Sequence, residues 1–208
     1  MKLQRKYYTN SDVVELAHDL LGKVLFTSIG KQTVSGIITE TEAYAGITDR
    51  ASHAFGGRRT RRTEIMYSHG GTAYVYLCYG IHALFNIVTN KAEIPHAVLI
   101  RAAYPVDGIK MISVRRNQPA TKPGKLMTGP GTVSKGFAIQ LEHTGLDLTG
   151  DTIWLEDKGL RFPEKIIKTG PRIGVDYAGD DALLPYRFRV DHRDITAELL
   201  DSSLKLKK

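Results

Sequence analysis

The spacing of strand-like runs constrains this chain more than any other feature. Runs rich in apolar, β-branched and aromatic residues occupy positions 23–29, 34–44, 72–79, 81–89 and 97–103, and several are separated by no more than a hairpin turn. Gly30 and Lys31 supply such a turn between the first two. Parallel neighbours need a crossover of a dozen residues or more, so connections this short favour antiparallel pairing. Shorter strands fit 152–156, 173–175 and 186–190. Helices are few. Val13, Leu16, Ala17, Leu20 and Leu21 recur at helical spacing, with Asn10 or Ser11 as a cap and Gly22 as a stop. Two more helices are expected at 106–116, just after Pro105, and at 132–139. The pattern predicts an α+β fold with a mostly antiparallel sheet, not a doubly wound parallel one. No repeat or linker divides the chain, and the Pro/Gly-rich stretch 117–131 is too short to separate domains. One domain over residues 1–208 is expected, with residues 202–208 fraying.

The 208 residues carry a formal net charge of +7. A basic surface attracts polyanions, of which nucleic acid is the commonest. Part of the excess is local: Arg58, Arg59, Arg61 and Arg62 fall within five residues, directly after Gly56 and Gly57. The glycine pair allows a mobile loop there, and arginine suits phosphate, although a charge cluster is often a solvated face. Cys78 is the only cysteine, which excludes an intrachain disulfide and a cysteine-rich zinc site. The histidines are scattered, with no His-x-x-x-His or deaminase-type spacing, so no metal is expected. No phosphate-cradling loop or dinucleotide fingerprint is present, so no cofactor is expected either. Gly129 to Thr132 reads as a helix start that can touch phosphate. No apolar run is long enough to cross a bilayer. The basic start leads into no apolar signal core, so a soluble, non-secreted protein is expected.

Two segments carry candidate chemistry. In a regular strand, Glu40, Glu42 and Tyr44 share one face. Two carboxylates so placed require solvent, a cation or a substrate; an exposed edge strand would also satisfy them. Further on, Tyr74 and Tyr76 share a face, while alternation sends Tyr79 to the other, beside the turn residue Gly80. A tyrosine at a hairpin tip either packs under a neighbouring loop or acts as a wedge that enters a base stack.

An ordered set of short motifs resembles a known family. It comprises Glu40-Thr41-Glu42-Ala43-Tyr44, Ala51-Ser52-His53, Gly56-Gly57-Arg58, Tyr74-Val75-Tyr76, Tyr79-Gly80, Asn86, Leu99-Ile100-Arg101, Thr128-Gly129-Pro130 and Arg172-Ile173-Gly174-Val175. Together they resemble the alkyladenine (methylpurine, 3-methyladenine) DNA glycosylases of the mammalian type, over nearly the whole chain, without the long N-terminal extension of the mammalian members. The resemblance implies one domain with a curved antiparallel sheet, a protruding β-hairpin and a few flanking helices. It implies Glu42 as the general base that activates water. It implies Tyr44, His53, Tyr76 and Asn86 as the base pocket, with Asn86 crowding out the guanine amino group. Tyr79 is implied as the intercalating residue, Arg101 and the Ile173 carbonyl as groups around the attacking water, and Arg58 as a phosphate contact. The arginine loop departs from the mammalian pattern around 61–64.

The implied substrate is double-stranded DNA containing damaged purines: 3-methyladenine, 7-methylguanine, hypoxanthine or ethenoadenine. The implied activity is monofunctional base excision by a monomer, with no membrane partner. The expected location is the cytoplasm, on the nucleoid, for a bacterial chain and the nucleus for a eukaryotic one. The alternative is a non-catalytic module that binds damaged DNA. Glu42 discriminates between the two, because a pure binder has no use for an acid beside a polyanion.

Overall fold

A computed structural model describes residues 1–196 and 199–200. Helices α1 (Arg5–Tyr8) and α2 (Val13–Asp19) precede strands β1 (Val24–Ile29) and β2 (Gln32–Tyr44). After a long connection come β3 (Thr72–Cys78), β4 (His82–Thr89) and β5 (His96–Asp107), then α3 (Ile109–Arg116) and α4 (Pro130–Phe137). β6 (Ile153–Glu156), β7 (Ile167–Gly170) and β8 (Arg187–Val190) complete the set. The main sheet runs β3-β4-β5-β2-β1-β6, with β8 pairing both β2 and β7. Every pairing is antiparallel. The α+β, antiparallel expectation therefore holds. The tail at 202–208 lies outside the described residues.

β2 is the pivot of the sheet. Its first half pairs with β1, and residues 40–42 pair instead with β8. Register shifts against β5 flank Glu40, between Ile38 and Glu40 and between Glu40 and Thr41. Bulges bend a strand and increase its twist. Here the bend curls the sheet and lets β8 add to β2 just where Glu42 sits. One face of β3, β4 and β5 packs Ala73, Val75, Phe85, Ile87, Val98 and Ile100 into the main core beneath the helices. Phe85 and Phe137 there are fully buried, each contributing about 1.5–3 kcal/mol of apolar burial. The other face carries Tyr74, Val88 and Ala97, which pack against Ala54, Met66 and Tyr67 of the long connection.

Three local expectations are corrected. Asp12, not Asn10 or Ser11, caps α2, accepting from the N–H groups of Val14 and Glu15. The helix expected from 106 starts at Ile109: β5 continues through Pro105 to Asp107, and Gly108 turns the chain at φ 70°. Pro105 faces Gly36 beside a bulge, a position where a missing N–H is tolerated. Residues 173–175 form no strand, because Gly174 takes φ +74° and breaks the extended run.

Candidate active site

A cavity of about 270 Å³ opens on the second face of the sheet, lined in part by Tyr44, His53, Tyr76, Asn86, Arg101 and Ile173. Residues more than a hundred positions apart are thus brought together. The His53 ring meets the Tyr76 ring edge-on at 4.7 Å, and its Nδ1 lies 2.8 Å from the Tyr74 hydroxyl. Burial, reinforced by Arg62 and Arg58, lowers the His53 pKa to about 4, so the ring is neutral at pH 7. Asn86 faces Tyr74 across the β3–β4 ladder. Its amide donates to the carbonyls of Tyr74 and Leu84 at 3.2 and 3.3 Å, which turns Oδ1 away from both.

Glu42 is not on the cavity surface. It is wholly buried, directly behind three groups that line the cavity. The Tyr44 hydroxyl donates to Oε2 at 2.9 Å and the Ile173 N–H to Oε1 at 2.8 Å. An Arg101 nitrogen lies 3.2 Å from Oε2. Arg101 also donates to Glu40 at 2.9 Å, and Arg187 donates to Glu40 at 2.7 Å. The two carboxylates of one strand face are thus matched by two guanidinium groups, and the exposed-edge alternative does not hold. Burial raises the Glu42 pKa above the ordinary glutamate value; Arg101, the Ile173 N–H and the Tyr44 hydroxyl oppose it without cancelling it.

The β3–β4 hairpin ends in a turn at Tyr79 (φ 51°) and Gly80 (φ 73°), closed by the Ile81 N–H on the Cys78 carbonyl at 3.2 Å. Tyr79 is 91 % exposed, so it does not pack under a loop. Simple alternation sends it away from Tyr76. The positive φ breaks that alternation and brings Tyr79 to the rim of the same cavity.

Arg58 does not line the cavity. It is exposed, and among the described residues its guanidinium has no ion-pair partner. Its carbonyl is held by the Thr63 and Tyr67 hydroxyls at 3.0 and 3.3 Å. Of the rest of the cluster, Arg59 is less available to phosphate than the composition suggests, while Arg61 and Arg62 are exposed. Arg59 pairs with Glu64 and Glu93 and lies over the Tyr67 ring, while Arg62 lies 5.6 Å from the Tyr76 ring centroid. Gly56 and Gly57 both take positive φ, so the pair builds a turn.

Sequence reasoning gave no role to Tyr177, Arg187, Asp49 or Arg172. Tyr177 also lines the cavity. Arg172 and Asp49 form a buried ion pair across a separation of 123 residues, which no local pattern reveals. Among the described residues, no group of three or more His, Cys, Asp or Glu is placed to hold a metal, and no helix is long and apolar enough to cross a membrane.

The geometry thus combines a slot walled by aromatic rings, a buried carboxylate behind it and an exposed aromatic at its rim. Residues 7–194 match the family model described as methylpurine-DNA glycosylase. A protein of Chlamydia felis is 48% identical over 187 residues, covering 89% of this chain and 94% of the relative. One of Bacillus cytotoxicus is 40% identical over 196 residues, covering 90% and 95%. Both bear the name "Putative 3-methyladenine DNA glycosylase". The match over almost the whole chain, on a fold with this cavity, means that the chain belongs to the methylpurine-DNA glycosylase family and is a hydrolase of DNA repair.

Proposed function

We propose that this protein flips a damaged purine out of duplex DNA into the cavity between Tyr44, His53 and Tyr76, and hydrolyses its glycosidic bond with a water that Glu42 deprotonates. The observation that carries this reading is a fully buried carboxylate held against the wall of an aromatic cavity. The substrates are alkylated or deaminated purines: 3-methyladenine, 7-methylguanine, hypoxanthine and ethenoadenine. Residues 1–208 act as a single domain and a monomer, on the nucleoid in a bacterial cell.

The chemistry follows from the needs of the reaction. A stacked base hides its glycosidic bond, so the nucleotide must leave the helix at a cost of a few kcal/mol. Aromatic rings then stack on the extruded base, and on a cationic base they add cation–π attraction. Asn86 crowds the guanine amino group at the purine edge. Water attacks the anomeric carbon, the base departs with the bonding electrons, and the proton passes to Glu42. The carboxylate also faces the oxocarbenium-like sugar, which its charge stabilises. Glu42 is covered by Tyr44 and Ile173, so the water enters where one of these two hydrogen bonds now stands, with Arg101 and the Ile173 carbonyl beside it. Arg58 contacts phosphate.

The test is incubation with duplexes that each carry one of the four lesions, in EDTA, with detection of free base. Release in chelator is expected. Tight lesion binding without release would favour a non-catalytic damage binder, and release that depends on added metal would overturn the water-activation step.

Tyr79 has the exposure and position of a wedge. Its positive φ costs about 1–3 kcal/mol for a residue with a side chain, a strain that suits a functional tip. Tyr79→Ser is expected to leave the melting temperature near that of wild type. It should weaken binding to an ethenoadenine duplex by about 1–3 kcal/mol of lost stacking and lower the fluorescence that reports the unstacked base. Unchanged fluorescence would remove Tyr79 from the flipping step.

A further inference from the structure

A buried ion pair stands behind the cavity wall. Arg172 and Asp49 are both shut off from solvent. The Arg172 guanidinium donates to both Asp49 oxygens, at 2.8 Å to Oδ1. It also donates to the carbonyls of Ala43 at 2.9 Å and Asp181 at 3.0 Å. It lies 4.9 Å from the centroid of the Tyr44 ring and 5.3 Å from that of Tyr186. Asp49 in turn accepts from the N–H groups of Ala45 and Ala51, both at 2.9 Å.

A buried pair of this kind is a poor source of stability, because apolar residues of equal volume often serve as well or better. What it provides here is geometry. Ala43 lies between Glu42 and Tyr44. The loop held by Asp49 leads to His53. Asp181 belongs to the segment that carries Tyr177. Arg172 itself is bonded to Ile173, whose N–H holds Glu42. Four pieces of chain that wall the cavity therefore meet at one guanidinium.

We infer that the Arg172–Asp49 pair is the positioning device of the active site, setting the Tyr44 ring and the Ile173 N–H against Glu42 and so aiming its carboxylate. The inference rests on Glu42 being the base. Several charged or titratable groups face Glu42: Arg101 from β5, Glu40 and Tyr44 from β2, Tyr76 from β3, Arg187 across the ladder on β8, and Arg172 itself. Of the groups that favour the carboxylate form, the Tyr44 hydroxyl and the Ile173 N–H are held in place by the pair. If they loosen, burial weighs more and Glu42 ionises at higher pH.

The test uses two variants that keep the charge but disturb the geometry, Arg172→Lys and Asp49→Glu. The Glu42 carboxyl is followed by carbon-13 NMR titration, its signal assigned by its loss in Glu42→Gln. Both variants are expected to ionise Glu42 at higher pH than wild type. Single-turnover excision should fall about 10- to 100-fold, as misplacement of a catalytic group by an ångström does. Affinity for lesion duplex should change only a few-fold. Folded variants with an unmoved Glu42 titration and wild-type excision would overturn the inference. Failure of both variants to fold would also overturn it, by making the pair a folding element alone. If the wild-type protein releases no base from any lesion, the glycosylase reading fails, and the NMR titration still decides the role of the pair.

Discussion

Glu42→Gln is expected to lower single-turnover excision by at least about 10²- to 10⁴-fold, the usual contribution of a positioned general base. The substitution keeps the size of the side chain. It removes both the group that takes the proton from water and the charge that faces the developing oxocarbenium ion, so the loss should fall toward or beyond the upper end. Glu40→Gln is the control. Glu40 shares the strand face but bonds to Arg101 and Arg187, whereas Glu42 bonds to Tyr44 and Ile173 of the cavity wall. Its loss acts on Glu42 through Arg101 and by removing a neighbouring negative charge, and it leaves the proton acceptor in place, so a smaller effect is expected. Binding of lesion DNA by Glu42→Gln should persist or tighten, since a negative group near phosphate is gone. The pH dependence carries a second signature. The base must be ionised to act, and burial raises its pKa above the ordinary 4.5. Wild-type excision should therefore decline with falling pH while still above that value, and the residual rate of Glu42→Gln should lack this limb. Excision by Glu42→Gln within a few-fold of wild type, with a large loss in Glu40→Gln, would mean that the wrong glutamate has been assigned.

Arg101→Met is expected to have the largest effect on stability. The Arg101 side chain is 11% exposed and bridges Glu40 and Glu42. Arg187 still compensates Glu40 in the variant, but Glu42 is left buried without its cation. Breaking one partner out of such a pair costs about 3–5 kcal/mol. The loss should depend on pH with a definite sign. Glu42 ionises at higher pH folded than unfolded, and without Arg101 its folded pKa rises further. The folded state then holds the extra proton. That contribution to stability is complete below the unfolded value near 4.5 and is lost as pH rises through the folded one. Chemical denaturation at a series of pH values should show the variant nearest to wild type under acid conditions and progressively weaker toward neutrality. A deficit that is constant with pH would show that Glu42 is not the group left unpaired.

How far the sequence reveals the molecule depends on how local each cause is. Strands β1 to β5 are legible because their alternation and the intervening turns are written in neighbouring residues. β7 is not. Ile167 to Gly170 contains little apolar pattern, and Lys168 and Thr169 are exposed, so only its pairing with β8 makes it a strand. Pro105 misleads because its fixed φ suits the first turn of a helix and the edge of a bulge equally well. The motifs locate the cavity residues but not their order in depth. That Glu42 lies behind Tyr44, and not beside it on the surface, follows from the curl of β2 and the close approach of Ile173 from far along the chain. The Arg172–Asp49 pair shows the same limit: Arg172 opens one of the short motifs and Asp49 belongs to none, and only the folded chain makes them partners.

Whether water is the nucleophile is decided most directly by the fate of water oxygen in a single turnover by the wild-type protein. Duplex DNA methylated with dimethyl sulfate, which carries 3-methyladenine and 7-methylguanine, would be treated in water enriched in oxygen-18, with EDTA and with borohydride added to a parallel sample. Free methylpurine is expected, with strands that stay intact at each abasic site and labelled oxygen at the anomeric carbon of the abasic sugar when exchange is quenched at once. No protein should be trapped on DNA by borohydride. A trapped covalent adduct, or strand cleavage coupled to base loss, would contradict this mechanism, because the nucleophile would then be the protein and not a water activated by Glu42.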